Sequence, residues 1–223
     1  METLLLVFVE LLVCFGGVVL AERFLGKAGV IAWVSFGTIV ANIQIFKQIE
    51  VPIVGITTMG CVMFASIFLA CDIVNEKYGE DDAKDVVKTL ALVNIAMFVV
   101  GNLTKLIPAF GAGDTTCAVD TIFSYAPFAT LVSTLCMLAA SYLDIKIFNF
   151  IKRQFPKQLW LRNNVSTLIT NLSENIFIIA LVIGPAIGLT FAGFWPLLAI
   201  KCATEALCAL LDTPFLYIAK YWK

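Results

Sequence analysis

Two carboxylates, Glu174 and Glu205, stand in stretches that are otherwise almost wholly apolar, and Lys201 lies one helical turn before the second. A charge in mid-bilayer costs roughly 3 kcal/mol or more, so it implies a partner, a wet cavity or a task. Residues 159–178, LWLRNNVSTLITNLSENIFI, show the pattern best. They open as a basic, polar loop and continue as an apolar helix with a polar stripe. At about 100° per residue, Asn163, Thr167, Thr170, Asn171 and Glu174 share an arc of roughly 100°. Val165, Leu168, Ile169, Leu172, Ile176, Phe177 and Ile178 cover the rest. In water that pattern is inside out. In a bilayer it turns lipid outward and a polar seam toward neighbouring helices.

A second stripe lies near the C-terminus. Lys201, Glu205, Cys208 and Asp212 project within an arc of about 60°, with Lys201 in the outer half, Glu205 near mid-depth and Asp212 toward the cytoplasm. Lys201 and Glu205 can neutralise each other. The stripe is therefore either an ion pair holding two helices together or one wall of a cavity shared with Asn171 and Glu174. A third set, Thr130, Ser133, Thr134, Met137, Ser141 and Asp144, shares one side of an earlier helix. Asp144, with Lys146 able to snorkel beside it, suits an inner latch or a ligand contact equally. In CDIVNEKYG, Asp72, Asn75 and Glu76 share a face and Gly79 stops the helix. They are candidates for ligand contact, or for pairing with Arg162 or Lys88. Asn42, Gln44, Asn94 and Asn102 are intramembrane amides of the kind that often only bond a neighbouring helix. Glu10 has no evident partner.

The elements that must position these groups follow from composition. Of 223 residues, 61% are hydrophobic and 14% charged, and mean hydropathy is +0.96. Soluble domains are about half apolar and a quarter charged, so the chain is an all-α, polytopic transmembrane bundle. Seven segments are long enough to cross a bilayer core of about 30 Å: 3–21, 28–46, 53–75, 86–107, 124–150, 164–184 and 194–220. They form a single transmembrane domain over 1–223. The first segment lacks a basic start and a cleavage site, and is expected to be a span rather than a signal peptide. The Gly- and Thr-rich stretch 108–123 is expected to be an exposed loop that caps the protein.

Orientation follows the placement of Lys and Arg. With the N-terminus outside, Arg23, Lys27, Lys77, Lys84, Lys88, Lys152, Arg153, Lys157, Arg162, Lys220 and Lys223 are cytoplasmic, and only Lys47 and Lys105 are outside. That bias predicts N-out and C-in. Net charge is −1, and no basic domain exists to bind nucleic acid. Seven cysteines sit mostly in apolar runs without a CxxC pair, and histidine is absent; buried apolar thiols are expected, and neither a zinc site nor a histidine proton relay. Trp160, Trp195, Tyr221 and Trp222 flank spans as interfacial belt residues.

Several runs occur in one order: ANIQIFK (41–47), CDIVNEKYG followed by DDAKDVV, SYLDIKIF (141–148), LWLRNNVST followed by TNLSEN, and LDTPFLY (211–217). Together they resemble the bacterial queuosine precursor transporters, also called the vitamin uptake transporter family. The resemblance covers residues 28–220 as a six-span family core, with 1–27 an added N-terminal helix. It implies import of 7-deazaguanine bases (preQ0, preQ1 or queuine) across the bacterial inner membrane, with no cofactor, no metal and no enzymatic step. Asn42, Asp72, Glu76, Asp144, Arg162, Asn163, Ser166, Asn171 and Asp212 match family motif positions. Glu174 stands where many members have Asp, followed by Asn175 rather than Thr or Ser, and Glu205 stands where many have Lys.

The residues imply a compatible chemistry. A guanine-like edge offers two adjacent N–H donors that one carboxylate accepts together, and an Asn amide or Lys201 can serve the carbonyl. Glu174 and Glu205 together would suit a cationic aminomethyl substituent. The candidate substrate contacts are Glu174, Asn171, Glu205, Lys201, Asn42, Thr167, Asp72, Asn75 and Glu76, with Asp144, Arg162 and Asp212 as gating or structural groups. A stand-alone carrier for a small purine-like substrate is the leading expectation. A substrate-binding subunit of an energy-coupling-factor importer is the alternative, and both a coupling partner and a homodimer stay open.

Overall fold

Helix α1, Glu2–Gln44, is 43 residues long, about 65 Å at 1.5 Å per residue and twice the bilayer core. It does not run straight. At Gly26 the backbone takes φ 58° and ψ −145°, a conformation closed to residues with a Cβ. The chain doubles back there into two antiparallel arms. A Cβ on Gly17 would collide with the Trp33 ring, and Gln44 Nε2 donates to Glu10 Oε1 at 2.6 Å. The arms coincide with the first two expected segments, and Glu10 gains the partner that sequence could not name.

This computed structural model describes residues 2–51, 55–108, 113–123 and 127–222. After α1 come β1 (Gln48–Val51), β2 (Gly55–Thr58), α2 (Gly60–Lys77), α3 (Glu80–Leu106), α4 (Asp114–Ile122) and α5 (Pro127–Gln154). Then follow α6 (Leu159–Ile178), a π-helical turn (Ile179–Ile183), α7 (Gly184–Ile187) and α8 (Phe191–Tyr221). Five helices among the described residues are long and apolar enough to cross a membrane: Thr3–Gln44, Glu80–Leu106, Val132–Gln154, Leu159–Ile183 and Phe191–Tyr221. The architecture is an all-α membrane bundle. Outward faces are oily, as Phe177 on α6 and Leu135 on α5, each 56% exposed, illustrate.

Three local expectations change. The segment expected to span 53–75 begins as an antiparallel hairpin, with Gln48 opposite Thr58 and Val51 opposite Gly55. Ile49, Val51, Ile56, Thr57 and Thr58 are β-branched and favour strands, so the helix starts only at Gly60. Within 108–123, Asp114–Ile122 is a short helix rather than a loop, and residues 109–112 lie outside the described set. The polar start of 159–178 is also helical, because Arg162 and Asn163 are buried against partners rather than solvated.

Helix α2 is the central post. Leu69, Ala70 and Val74 have no exposure. They pack with Phe15 and Val18 of the first arm, Val30 and Val34 of the second, Val86 and Leu90 of α3, Phe148 of α5 and Leu216 of α8. Its 18 residues include Asp72 and Asn75, each 1% exposed, which the surrounding helices hide from lipid. Replacing Gly26 by alanine should force a sparsely allowed backbone at a cost of about 1–3 kcal/mol. At roughly 2–4 °C per kcal/mol for a chain of this size, the thermal midpoint in detergent should fall by several degrees, read from tryptophan fluorescence.

Candidate functional site: a polar cavity and the charges beneath it

Towards the end of the bundle that carries the β-hairpin, the helices part around a cavity of about 360 Å³. One wall is α6, whose Thr167, Asn171, Glu174 and Asn175 face inward, and α8 opposite supplies Lys201, Glu205, Cys208 and Asp212. Asn42 from α1, Asn94 and Asn102 from α3, Ser133 and Thr134 from α5 and Thr58 of the hairpin add to the polar lining. Phe64 and Phe68 of α2, Phe98 of α3 and Phe123 after α4 supply flat apolar surfaces. The volume lies at the lower end of small-molecule pockets, about 300–1,000 Å³.

The polar groups are unequally committed. Asn175 Nδ2 donates to Glu205 Oε2, while Lys201 Nζ stands 3.7 Å from Glu205 Oε1, a loose pair. Across the cavity Asn42 Nδ2 donates to Asn94 Oδ1 at 3.0 Å, tying α1 to α3. Glu174 lines the cavity close enough to feel the charges of Glu205 and Lys201, yet it accepts no hydrogen bond from a described residue. Two carboxyl groups share one ammonium on that wall, and Glu174 is open to a ligand.

Next to the cavity floor lies a buried acidic layer. Asp212 accepts from Asn163 Nδ2 at 2.8 Å, and Asp144 accepts from Thr170 Oγ1 at 3.4 Å. Asp72 faces Asp144. One turn further along α2, Glu76 collects three cations: Arg162 Nη2 at 2.6 Å, Lys152 Nζ at 2.8 Å and Lys220 Nζ at 2.9 Å. Arg162 also donates to the Pro156 carbonyl at 3.0 Å and lies over the Phe148 ring, 5.4 Å from its centroid. Asn149 Nδ2 donates to Asn75 Oδ1 at 3.0 Å, joining α5 to α2. This end of α2, α5, α6 and α8 is closed by charge.

Of the residues singled out in sequence, Glu174, Asn171, Glu205, Lys201, Asn42, Thr167 and Asp212 line the one cavity. Asp72, Asn75, Glu76, Asp144 and Arg162 do not; they belong to the acidic layer and the ionic closure. Glu76 pairs with Arg162 but not with Lys88, which is held by its own helix neighbour Asp85 at 2.8 Å. Asp144 is buried while Lys146 is exposed, because residues two apart on a helix face different sides. Asn175 was missed as a lining residue. Its signal was the spacing Thr167, Asn171, Asn175, a repeat of four on the inward face. The cavity phenylalanines carried no such signal among 18 in the chain.

Glu76→Gln should leave three cations facing a neutral amide. Breaking a buried pair costs about 3–5 kcal/mol, here toward the low end because the Lys152 and Lys220 side chains are 34% and 26% exposed. The melting midpoint should drop well below that of Lys84→Met, which removes two surface helix pairs, to Glu80 and Asp81, each worth at most about 1 kcal/mol.

Comparison with known proteins places this geometry. Residues 58–219 match the family described as "Putative vitamin uptake transporter". A "Probable queuosine precursor transporter" of Bacillus subtilis (strain 168) is 33% identical over 213 residues, covering 91% of this chain and 88% of that protein. No solved structure matches. With well over half its length matched, and a bundle of lipid-facing helices closed around a polar cavity, the chain belongs to the vitamin uptake transporter family.

Proposed function

We propose that this protein imports queuosine precursors, 7-deazaguanine bases, across the bacterial inner membrane as a stand-alone carrier. The name of the Bacillus subtilis relative supports the substrate class, and the observation that carries the reading is the cavity wall. Glu174, without a hydrogen bond from a described residue, is placed to accept the two adjacent N–H donors of a guanine-like edge. Lys201 and the cavity amides suit its carbonyl and ring nitrogens. Phenylalanine faces on α2 and α3 suit a flat bicyclic ring. Glu174 and Glu205 together favour a precursor bearing a cationic aminomethyl group over an uncharged one.

In this reading the chain crosses the membrane seven times as one domain. The two arms of α1 are separate spans, and the first arm is an addition to the six-span core. The N-terminus is outside. The hub cations Lys152, Arg162 and Lys220 then gather at the cytoplasmic end, as the positive-inside bias requires, and the cavity lies in the outer half. Cys117, the exposed thiol on α4, should react with a membrane-impermeant maleimide added to intact spheroplasts. Protection until the membrane is opened would reverse this orientation.

Purified protein in liposomes, with no other component, should take up a labelled 7-deazaguanine base; uptake only after addition of a coupling ATPase would instead make it a subunit of a larger importer. Hydrogen bonds to a charged group contribute about 1.5–3 kcal/mol, so Glu174→Gln should weaken binding roughly 10- to 150-fold. Glu205→Gln should weaken it less, since Asn175 already occupies one of its oxygens. Unchanged binding in both variants, measured by calorimetry, would remove the two carboxylates from the site.

A further inference from the structure

Between the cavity and the Glu76 closure, three carboxylates from three helices meet without a cation of their own. Asp72 on α2, Asp144 on α5 and Asp212 on α8 are 1%, 2% and 3% exposed. Asp144 receives Thr170 and Ser166, and Asp212 receives Asn163. Asp72 receives nothing from a described residue: both its oxygens are buried without a hydrogen-bond donor there, and its carboxyl lies within hydrogen-bonding reach of Asp144. A separate side chain repeats the deficit. Asn163, with no exposure, gives its amide N–H groups to Asp212 and Thr213 at 2.8 and 3.2 Å, while its Oδ1 has no donor among the described residues.

What these acceptors lack is a donor. Two carboxyls in contact in a buried layer cannot both be ionised, and one proton between them turns a repulsive contact into an O–H···O hydrogen bond. The other titratable groups facing the pair are Asp212 from α8 and Glu76 and Cys71 from α2; α6 contributes the neutral Ser166 and Thr170. The three cations nearby are engaged by Glu76. No grouping of His, Cys, Asp and Glu among the described residues could hold a metal ion.

We propose that the Asp72–Asp144 pair is a proton-binding site, reached from the cavity through Asp212, and that its proton moves with the substrate. The step is a bare proton transfer: one H⁺ passes from cavity water to a carboxylate oxygen and is later released to water on the other side, with no electrons exchanged. Loaded, the pair joins α2 to α5 and favours the closed end. Unloaded, adjacent negative charges push the two helices apart, which opens the path beyond the cavity. Asp212 lines the cavity and adjoins the pair, so a bound base and a bound proton influence each other.

The substrate half of this inference rests on the proposed function; the proton half does not, and two measurements separate them. Infrared spectra of the purified full-length protein at neutral pH should show a protonated-carboxyl band that shifts in D2O and disappears in both Asp72→Asn and Asp144→Asn. Its absence from the wild type would overturn the proton site, whatever the variants do. In liposomes with the membrane potential clamped at zero, an exterior one pH unit more acid should drive about tenfold accumulation of labelled 7-deazaguanine, the limit for one proton per base. Both variants should lose that accumulation. Accumulation driven by sodium and indifferent to the pH gradient would overturn the coupling. A carboxyl band without any base uptake would sustain the proton site and remove the substrate assignment.

Discussion

A fully enclosed arginine is tolerable only with its charge answered, and here Glu76 answers it. Arg162 has no exposed surface, and its guanidinium meets one carboxylate, one carbonyl and one aromatic face. The same carboxylate draws in Lys152 and Lys220. One side chain on the central helix therefore ties α5, α6 and α8 to it at a single level. A bundle pinned at one end is free to part at the other, and that is where the cavity lies.

From that pin outward, the polar groups change in kind. At the closure every carboxylate oxygen has cations to meet. One turn away the carboxylates of Asp72, Asp144 and Asp212 have only hydroxyls, an amide and each other. In the cavity Glu174 and Glu205 share one loosely placed ammonium with open volume between. Water and ligand access rise along the same line, so the cost of each uncompensated charge falls along it. The layering gives each acid a distinct place: fixed at the closure, proton-dependent in the middle, available to a ligand in the cavity.

Much of this was legible from residue types. For the α8 stripe the residue types left two readings, an ion pair between helices or a space shared with α6; both stripes line one cavity, because an apolar face turned to lipid leaves only one direction for Asn171, Glu174 and Glu205. The long-range pairings were harder. Nothing local reveals that Glu76 prefers Arg162, 86 positions away, over Lys88, since the choice is made by how helices pack. The hairpin at 48–58 was hidden by its apolarity, which resembles the start of a span, although its β-branched content favoured strands. The fold-back at Gly26 was implied by two apolar runs with a basic break between them. Its tightness was not, because it depends on one φ value that only glycine takes readily.

Helix α2 shows why composition alone misplaces the working parts of such a protein. Its last two turns hold three charges and an Asn, and α2 is not among the five described helices long and apolar enough to cross a membrane. The other long helices each turn an apolar face outward, whereas α2 is surrounded by them. A bilayer punishes charge only where lipid touches it, so the helix shielded on all sides is the one that can carry Asp72, Asn75 and Glu76. Charge at the buried end of α2 therefore goes with its central position, and in this bundle the acidic layer and the ionic closure are both built on it.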